Sequence, residues 1–225
     1  MKLSVNLKLH LPKIYPMGCL LLALALPACA SFQTGTEIQA GRLALMTGKP
    51  QVALAHFNRA AELSPDYVTG FTPFREGVWT YVGRASYETE NYGVALQALE
   101  RASNRYADDH LAKIYLGLTL AREGTRQRAQ QELERGMKGL HGWLEDLSQT
   151  LRFSYGQYWD PQRAIRSELE AGLAGLSSKE VDWKNLIATG EKVGKRMEEE
   201  IDRAAERERF FLGRDSDGRD GGRGR

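Results

Sequence analysis

The chain is predicted to be all-α, a solenoid of helical hairpins closed by a helical C-terminal cap, and three observations predict it. First, Gly41, Ala53, Phe57, Ala60 and Pro65 recur in spacing as Gly83, Ala95, Leu99 and Ala102, and again as Gly117, Ala129, Leu133 and Gly136. Small residues at fixed offsets mark helices that pass close to one another, and a period held three times marks a stacked array. Second, Gly48, Pro65 and Gly124 interrupt the helical pattern at hairpin spacing, glycine supplying a left-handed helix end and proline refusing to continue one. Third, the chain after residue 144 keeps apolar stripes of helical period without the repeat spacing. With 225 residues, 42% of them hydrophobic, there is enough apolar surface for one folded body.

Residues 1–28 read as a secretory signal. Lys2, Lys8 and Lys13 precede an apolar run from Met17 to Leu26, followed by Pro27, Ala28, Cys29 and Ala30. The run is shorter than the ~20 apolar residues that span a bilayer. Leu26-Pro27-Ala28-Cys29 resembles the lipobox of bacterial lipoproteins, which implies lipidation of Cys29 as the mature N-terminus, with residues 29–33 as a linker; Pro27 departs from the commonest form. Ala30 lacks the acidic character that retains lipoproteins in the inner membrane, so the resemblance implies the periplasmic side of the outer membrane. The alternative is ordinary cleavage at Ala28-Cys29-Ala30 before Ser31, giving a soluble periplasmic protein. Cys19 has no branched apolar residue three positions upstream and is a poor competitor.

Cys19 and Cys29 are the only cysteines, so the mature fold has no thiol for a disulfide, a metal or nucleophilic catalysis. Losing the signal removes three lysines and no acid, leaving 28 basic residues against 29 acidic and a net charge of about −1. That balance argues against a nucleic-acid partner.

The repeats occupy residues 34–143. Gly41-Arg42-Leu43-Ala44-Leu45-Met46-Thr47-Gly48 followed by Ala53 through Pro65 resembles a tetratricopeptide repeat, with small residues at its eighth, twentieth and twenty-seventh positions and a closing proline. Residues 76–109 form the clearest copy, with Trp79, Gly83, Tyr92, Ala95, Leu99 and Ala102, although Ala107 takes the proline position. Residues 110–143 have Gly117, Gly124, Ala129 and Leu133, but Gly136 in place of alanine and His141 in place of proline, so the last helix is expected to run on. The resemblance covers roughly 110 of the 225 residues and implies a right-handed superhelix of about three hairpins.

An insertion near residues 68–75 breaks the period. It is expected to be a longer connection or an extended helix, with Phe71 and Phe74 on the groove or offered to a partner. Residues 144–212 are expected to form the cap. Asp160-Pro161 is a helix start, with Ile165, Leu169, Leu173 and Leu176 on one face. Ser177 with Glu180 makes a capping box for a longer helix striped by Leu186, Gly190, Val193, Met197, Ile201 and Ala204. On its wet face Glu191 with Lys195 and Glu199 with Arg203 are four apart. Residues 213–225 contain only Gly, Arg, Asp and Ser and are expected to be disordered.

No metal or catalytic motif stands out. His10, His56, His110 and His141 share no ligand spacing, and neither H-E-x-x-H nor G-x-S-x-G occurs. The acidic run from Asp215 has glycine fourth, where a calcium loop needs it sixth. No small-molecule cofactor is expected. The tetratricopeptide resemblance implies instead a partner-binding groove lined by the first helix of each repeat. Carried over by position, it includes Ile38, Arg42 and Leu45, then Thr80, Arg84, Tyr87 and Glu88, then Leu111, Ile114, Leu118 and Arg122. Arg42, Thr80, Arg84, Tyr87, Glu88 and Arg122 are the expected contacts, a mixture suited to an extended peptide or a helix bearing carboxylates. The aromatic segment Phe153, Tyr155, Tyr158 and Trp159 is expected to plug part of the groove, and Trp143 and Trp183 to anchor the core.

The expected function is therefore a non-catalytic scaffold or assembly adaptor in the bacterial envelope, bound to an envelope protein or peptide and held at the membrane by a lipid. The alternatives are an accessory factor or enzyme acting on an envelope polymer, which needs carboxylates converging in a cleft, and a soluble periplasmic chaperone.

Overall fold

The structure is a computed structural model that describes residues 16–71, 74–151 and 155–217. The signal's lysines, Phe153 and the tail from Gly218 lie outside the described residues. The order is α1 (Pro16–Met46), α2 (Pro50–Leu63), β1 (Val68–Phe71), β2 (Phe74–Gly77), α3 (Val78–Glu88), α4 (Tyr92–Arg105), α5 (His110–Arg122), α6 (Arg126–Thr150), a 3-10 turn (Tyr155–Tyr158), α7 (Ala164–Leu176) and α8 (Trp183–Asp217). The chain is mostly helical, as expected, with one two-stranded sheet.

Three antiparallel helix pairs follow in succession, α1 with α2, α3 with α4 and α5 with α6, and α2 packs on α3 as α4 packs on α5. The recurring glycine lies at each crossing. A Cβ on Gly41 would enter the Phe57 ring, one on Gly83 would enter Leu99, and one on Gly117 would lie 2.6 Å from Leu133 Cγ. The first helix of each pair then ends in a residue with positive φ: Gly48 at 70°, Glu90 at 59° and Gly124 at 86°. Glu90 therefore holds a conformation for which the other two copies use glycine.

The insertion is a longer connection between α2 and α3 and does not extend a helix. Val68 pairs with Gly77, Thr69 with Glu76, Gly70 with Arg75 and Phe71 with Phe74 in an antiparallel hairpin. Thr69 and Glu76 point inward from facing positions, and the Thr69 hydroxyl donates to the Glu76 carbonyl at 3.0 Å. Asp109 ties the hairpin to the third pair. It accepts from Gly77 N at 3.2 Å and from the Thr80 hydroxyl at 2.5 Å, and caps α5 through Ala112 N at 3.0 Å.

Helix α6 passes His141 without a break and ends at Thr150. Trp159 is buried against Phe74 and Trp143, while Trp143 and Trp183 are only half-buried at the edge of the core. Asp160 serves α7 from a distance, accepting from Ile165 N at 2.9 Å and Arg166 N at 3.0 Å. The capping box expected at Ser177 and Glu180 is not formed. Ser178 instead donates to carbonyls of Gly175 and Glu180, and Asp182 caps α8 through Asn185 N at 3.1 Å.

Helix α8 packs on α7 and then crosses α5 and α1. Leu186, Ile187, Val193, Met197 and Ile201 enter the same apolar core as Leu111, Ile114, Leu118 and Leu133. Each such side chain contributes about 1.5–3 kcal/mol by burial, so α8 is part of the core. Residues 29–33, expected as a linker, are helical within α1, and α8 continues past Gly213 to Asp217 where a disordered tail was expected. Among the described residues no helix is long and apolar enough to cross a membrane.

Candidate functional site: the inner face and its open edge

Arg42 and Arg84 each follow the crossing glycine of their repeat, so equal spacing brings them to one inner face. The third copy has Leu118 there. Helix α8 lies along this ladder with residues four apart. A Cβ on Gly190 would sit 2.8 Å from Leu118 Cδ2, one on Gly194 would enter Tyr115, Glu198 sits between the two arginines, and Asp202 reaches Arg42. The glycines let α8 approach α5 closely enough for the carboxylate to reach the ladder.

The charges at the centre are buried, the Arg42, Arg84, Glu76 and Glu198 side chains each being at most 4% exposed. Glu198 Oε2 accepts from Arg42 Nε at 2.7 Å and Oε1 from Arg84 Nη1 at 2.5 Å; Arg84 Nη1 also lies 2.7 Å from Glu76 Oε1, and Arg42 Nη2 lies 2.9 Å from Asp202 Oδ1. Arg84 further stacks 5.1 Å from the Tyr115 ring centre. Burial raises the Glu76 carboxyl to about 7, since Arg84 only partly offsets it and Glu198 and Asp109 add repulsion. Burial acts on Glu198 in the same sense, but Arg84 and Arg42 together outweigh it and hold the carboxyl below its ordinary range. Glu76 Oε2 and Arg84 Nε have no hydrogen-bond partner.

Five of the six expected groove contacts, all but Thr80, thus gather beside α8, but most of them are already engaged. Arg42 and Arg84 hold α8, and Thr80 is buried on Asp109. The Tyr87 hydroxyl donates to Glu191 Oε1 at 2.6 Å and accepts from Arg122 Nε at 3.2 Å, while Arg122 Nη2 meets the same Glu191 oxygen at 2.9 Å. Leu111, Ile114 and Leu118 are fully buried, and the element laid over Leu118 is α8 rather than the aromatic segment. Glu191 therefore answers Arg122 instead of the expected Lys195.

Glu88 and Arg122 remain at an open edge. A cavity of about 230 Å³ reaches from Leu45, Met46 and Pro50 down to Arg84, Tyr115 and Glu198, and a second of about 420 Å³ reaches Tyr92 and Arg122. Glu88, Glu191 and Lys195 line both, so the two form one trough between α8 and the hairpin turns. The cleft walls desolvate Glu88 and Glu191 faces it, which raises its carboxyl above the ordinary range against the pull of Arg84 and Arg122. Among the described residues no group of three or more His, Cys, Asp or Glu is placed to hold a metal ion.

The fold and site define a mostly helical protein in which three successive helix pairs are covered along one side by the last helix. No protein-family model, curated protein or solved structure matches the chain.

Proposed function

We propose that the chain is a non-catalytic, protein-binding scaffold of tetratricopeptide plan, lipid-anchored through Cys29 on the periplasmic side of the outer membrane. The observation that carries this reading is the threefold crossing of Gly41 on Phe57, Gly83 on Leu99 and Gly117 on Leu133. Repeated close crossings at one spacing build a scaffold with an extended flank, the kind of surface such arrays use for partners. Two of the four carboxylates that line the trough are held by their neighbours, which favours a scaffold over an enzyme acting on an envelope polymer, while Glu88 and Glu90 stay unpaired. Glu198 is clamped by two guanidinium groups, and Glu191 by Arg122 and Tyr87, so neither is free to act as a proton donor.

Two measurements test the reading. Labelled fatty acid should enter the wild-type chain and not Cys29→Ala; equal labelling of both defeats the lipid anchor. Crosslinking in intact envelopes followed by capture should recover a defined partner protein, and recovery of envelope polysaccharide alone would favour the enzyme alternative.

A further inference from the structure

The arginine-bearing inner face suits an acidic partner when read by position alone, yet the folded chain supplies that partner itself. Glu198, Asp202 and Glu191, all on α8, neutralise Arg42, Arg84 and Arg122. What stays free at the trough has the opposite sign. Glu88 and Glu90 are exposed and, among the described residues, neither has an ion-pair or hydrogen-bond partner through its side chain. Of the cations at the trough, Arg84 is paired with Glu76 and Glu198, Arg122 with Glu191 and Lys192 with Glu168, leaving Lys195 against the two unpaired carboxylates, of which Glu88 also feels Arg84 and Arg122 at longer range. The walls between them are apolar: Leu45, Met46 and Pro50 on one side and the Tyr92 ring farther along. Met46 is exposed, as is neighbouring Val52 just inside α2.

We propose that this trough takes an extended segment of a partner protein that presents lysine or arginine side chains between apolar ones. This rests on the scaffold reading and names its partner's chemistry. The cavities that make up the trough open past two successive repeats and onto the third at Arg122, which suits a strand-like segment better than a single side chain. An alkyl stem lies against Leu45, Met46 and Pro50 while its charged end meets Glu88 or Glu90. Apolar neighbours fill the space beside Tyr92. An acidic segment meets two unpaired carboxylates and gains only Lys195.

The test uses the full chain and a labelled nonapeptide of Lys-Ser-Leu triplets, with its Glu-Ser-Leu counterpart, followed by fluorescence anisotropy at low salt. The basic peptide should bind and the acidic one should not. Glu88→Gln combined with Glu90→Gly should weaken the basic peptide about tenfold, the loss of roughly one charge-assisted contact. Glycine at position 90 keeps the backbone that Gly48 and Gly124 adopt, and circular dichroism checks that the variant is folded. Lys195→Glu should tighten the basic peptide severalfold. Equal binding of the acidic peptide, no binding of the basic one, or an unchanged affinity in the folded double variant overturns the proposal. Capture of an envelope partner that the double variant still binds would leave the scaffold reading standing and remove this one. Peptide binding without lipid labelling would do the reverse for the anchor.

Discussion

Glu76 shows what a single buried carboxyl imposes on stability. It is fully enclosed, shares the Arg84 guanidinium with Glu198 and leaves one oxygen without a partner. Its carboxyl is raised to about 7, so between about pH 4.5 and 7 the folded state holds a proton that the unfolded chain releases. Stability from this group is therefore present at the acid side of that window and lost as pH rises through it. Chemical denaturation at pH 5 and pH 8 should show the wild-type chain losing on the order of 3 kcal/mol relative to Glu76→Gln, from 1.36 kcal/mol per pKa unit. A difference that is constant with pH would mean that Glu76 is ionised throughout. Glu198 acts in the opposite sense: its lowered carboxyl favours folding above the ordinary carboxylate range, and that contribution fades only in stronger acid. Neither behaviour is legible in the sequence. Glu76 reads as the first residue of the clearest repeat, next to the insertion, and only the pairing of Thr69 with Glu76 turns it inward.

At the level of the element, α8 combines an apolar stripe with two glycines and two acids spaced four apart. The stripe of Leu186, Val193, Met197 and Ile201 is readable from its period and is buried. The role of Glu198 is not, because a carboxylate next to Met197 resembles any other surface acid until the arginines at equivalent places in two repeats are seen to face it. Glu198→Ala leaves Glu76 as the carboxylate paired with Arg84 and the partly exposed Asp202 as the carboxylate paired with Arg42. Removing one partner of a buried ion pair costs about 3–5 kcal/mol, and urea denaturation should show that loss. Lys192→Ala, which removes an exposed pairing with Glu168, should change stability by less than about 1 kcal/mol. Equal effects from the two would show that the Glu198 cluster is hydrated. The start of α8 departs from the expected capping box for a related reason: Ser177, Ser178 and Asp182 all lie near the turn, and the loop geometry selects Asp182 as the cap.

Over the whole molecule, the repeat spacing explains the crossings, and the terminal helix explains why the inner face is closed. The glycine offsets were legible because each position has one steric task. The closed groove was not, since it depends on where a distant helix returns. Because α8 and α5 share one core, native-state hydrogen exchange should give their central amides similar protection, reporting one unfolding event. Exchange in α8 that is a hundredfold faster than in α5 would mean that the helix leaves the face independently. The unbroken path of α1 from Cys29 to Arg42 bears on position as well as packing. At 1.5 Å per residue the intervening helix is about 20 Å long. Thr34 and Ile38 are already buried in the first hairpin, so a lipid on Cys29 would leave little more than one helical turn, about 8 Å, between the repeats and the bilayer.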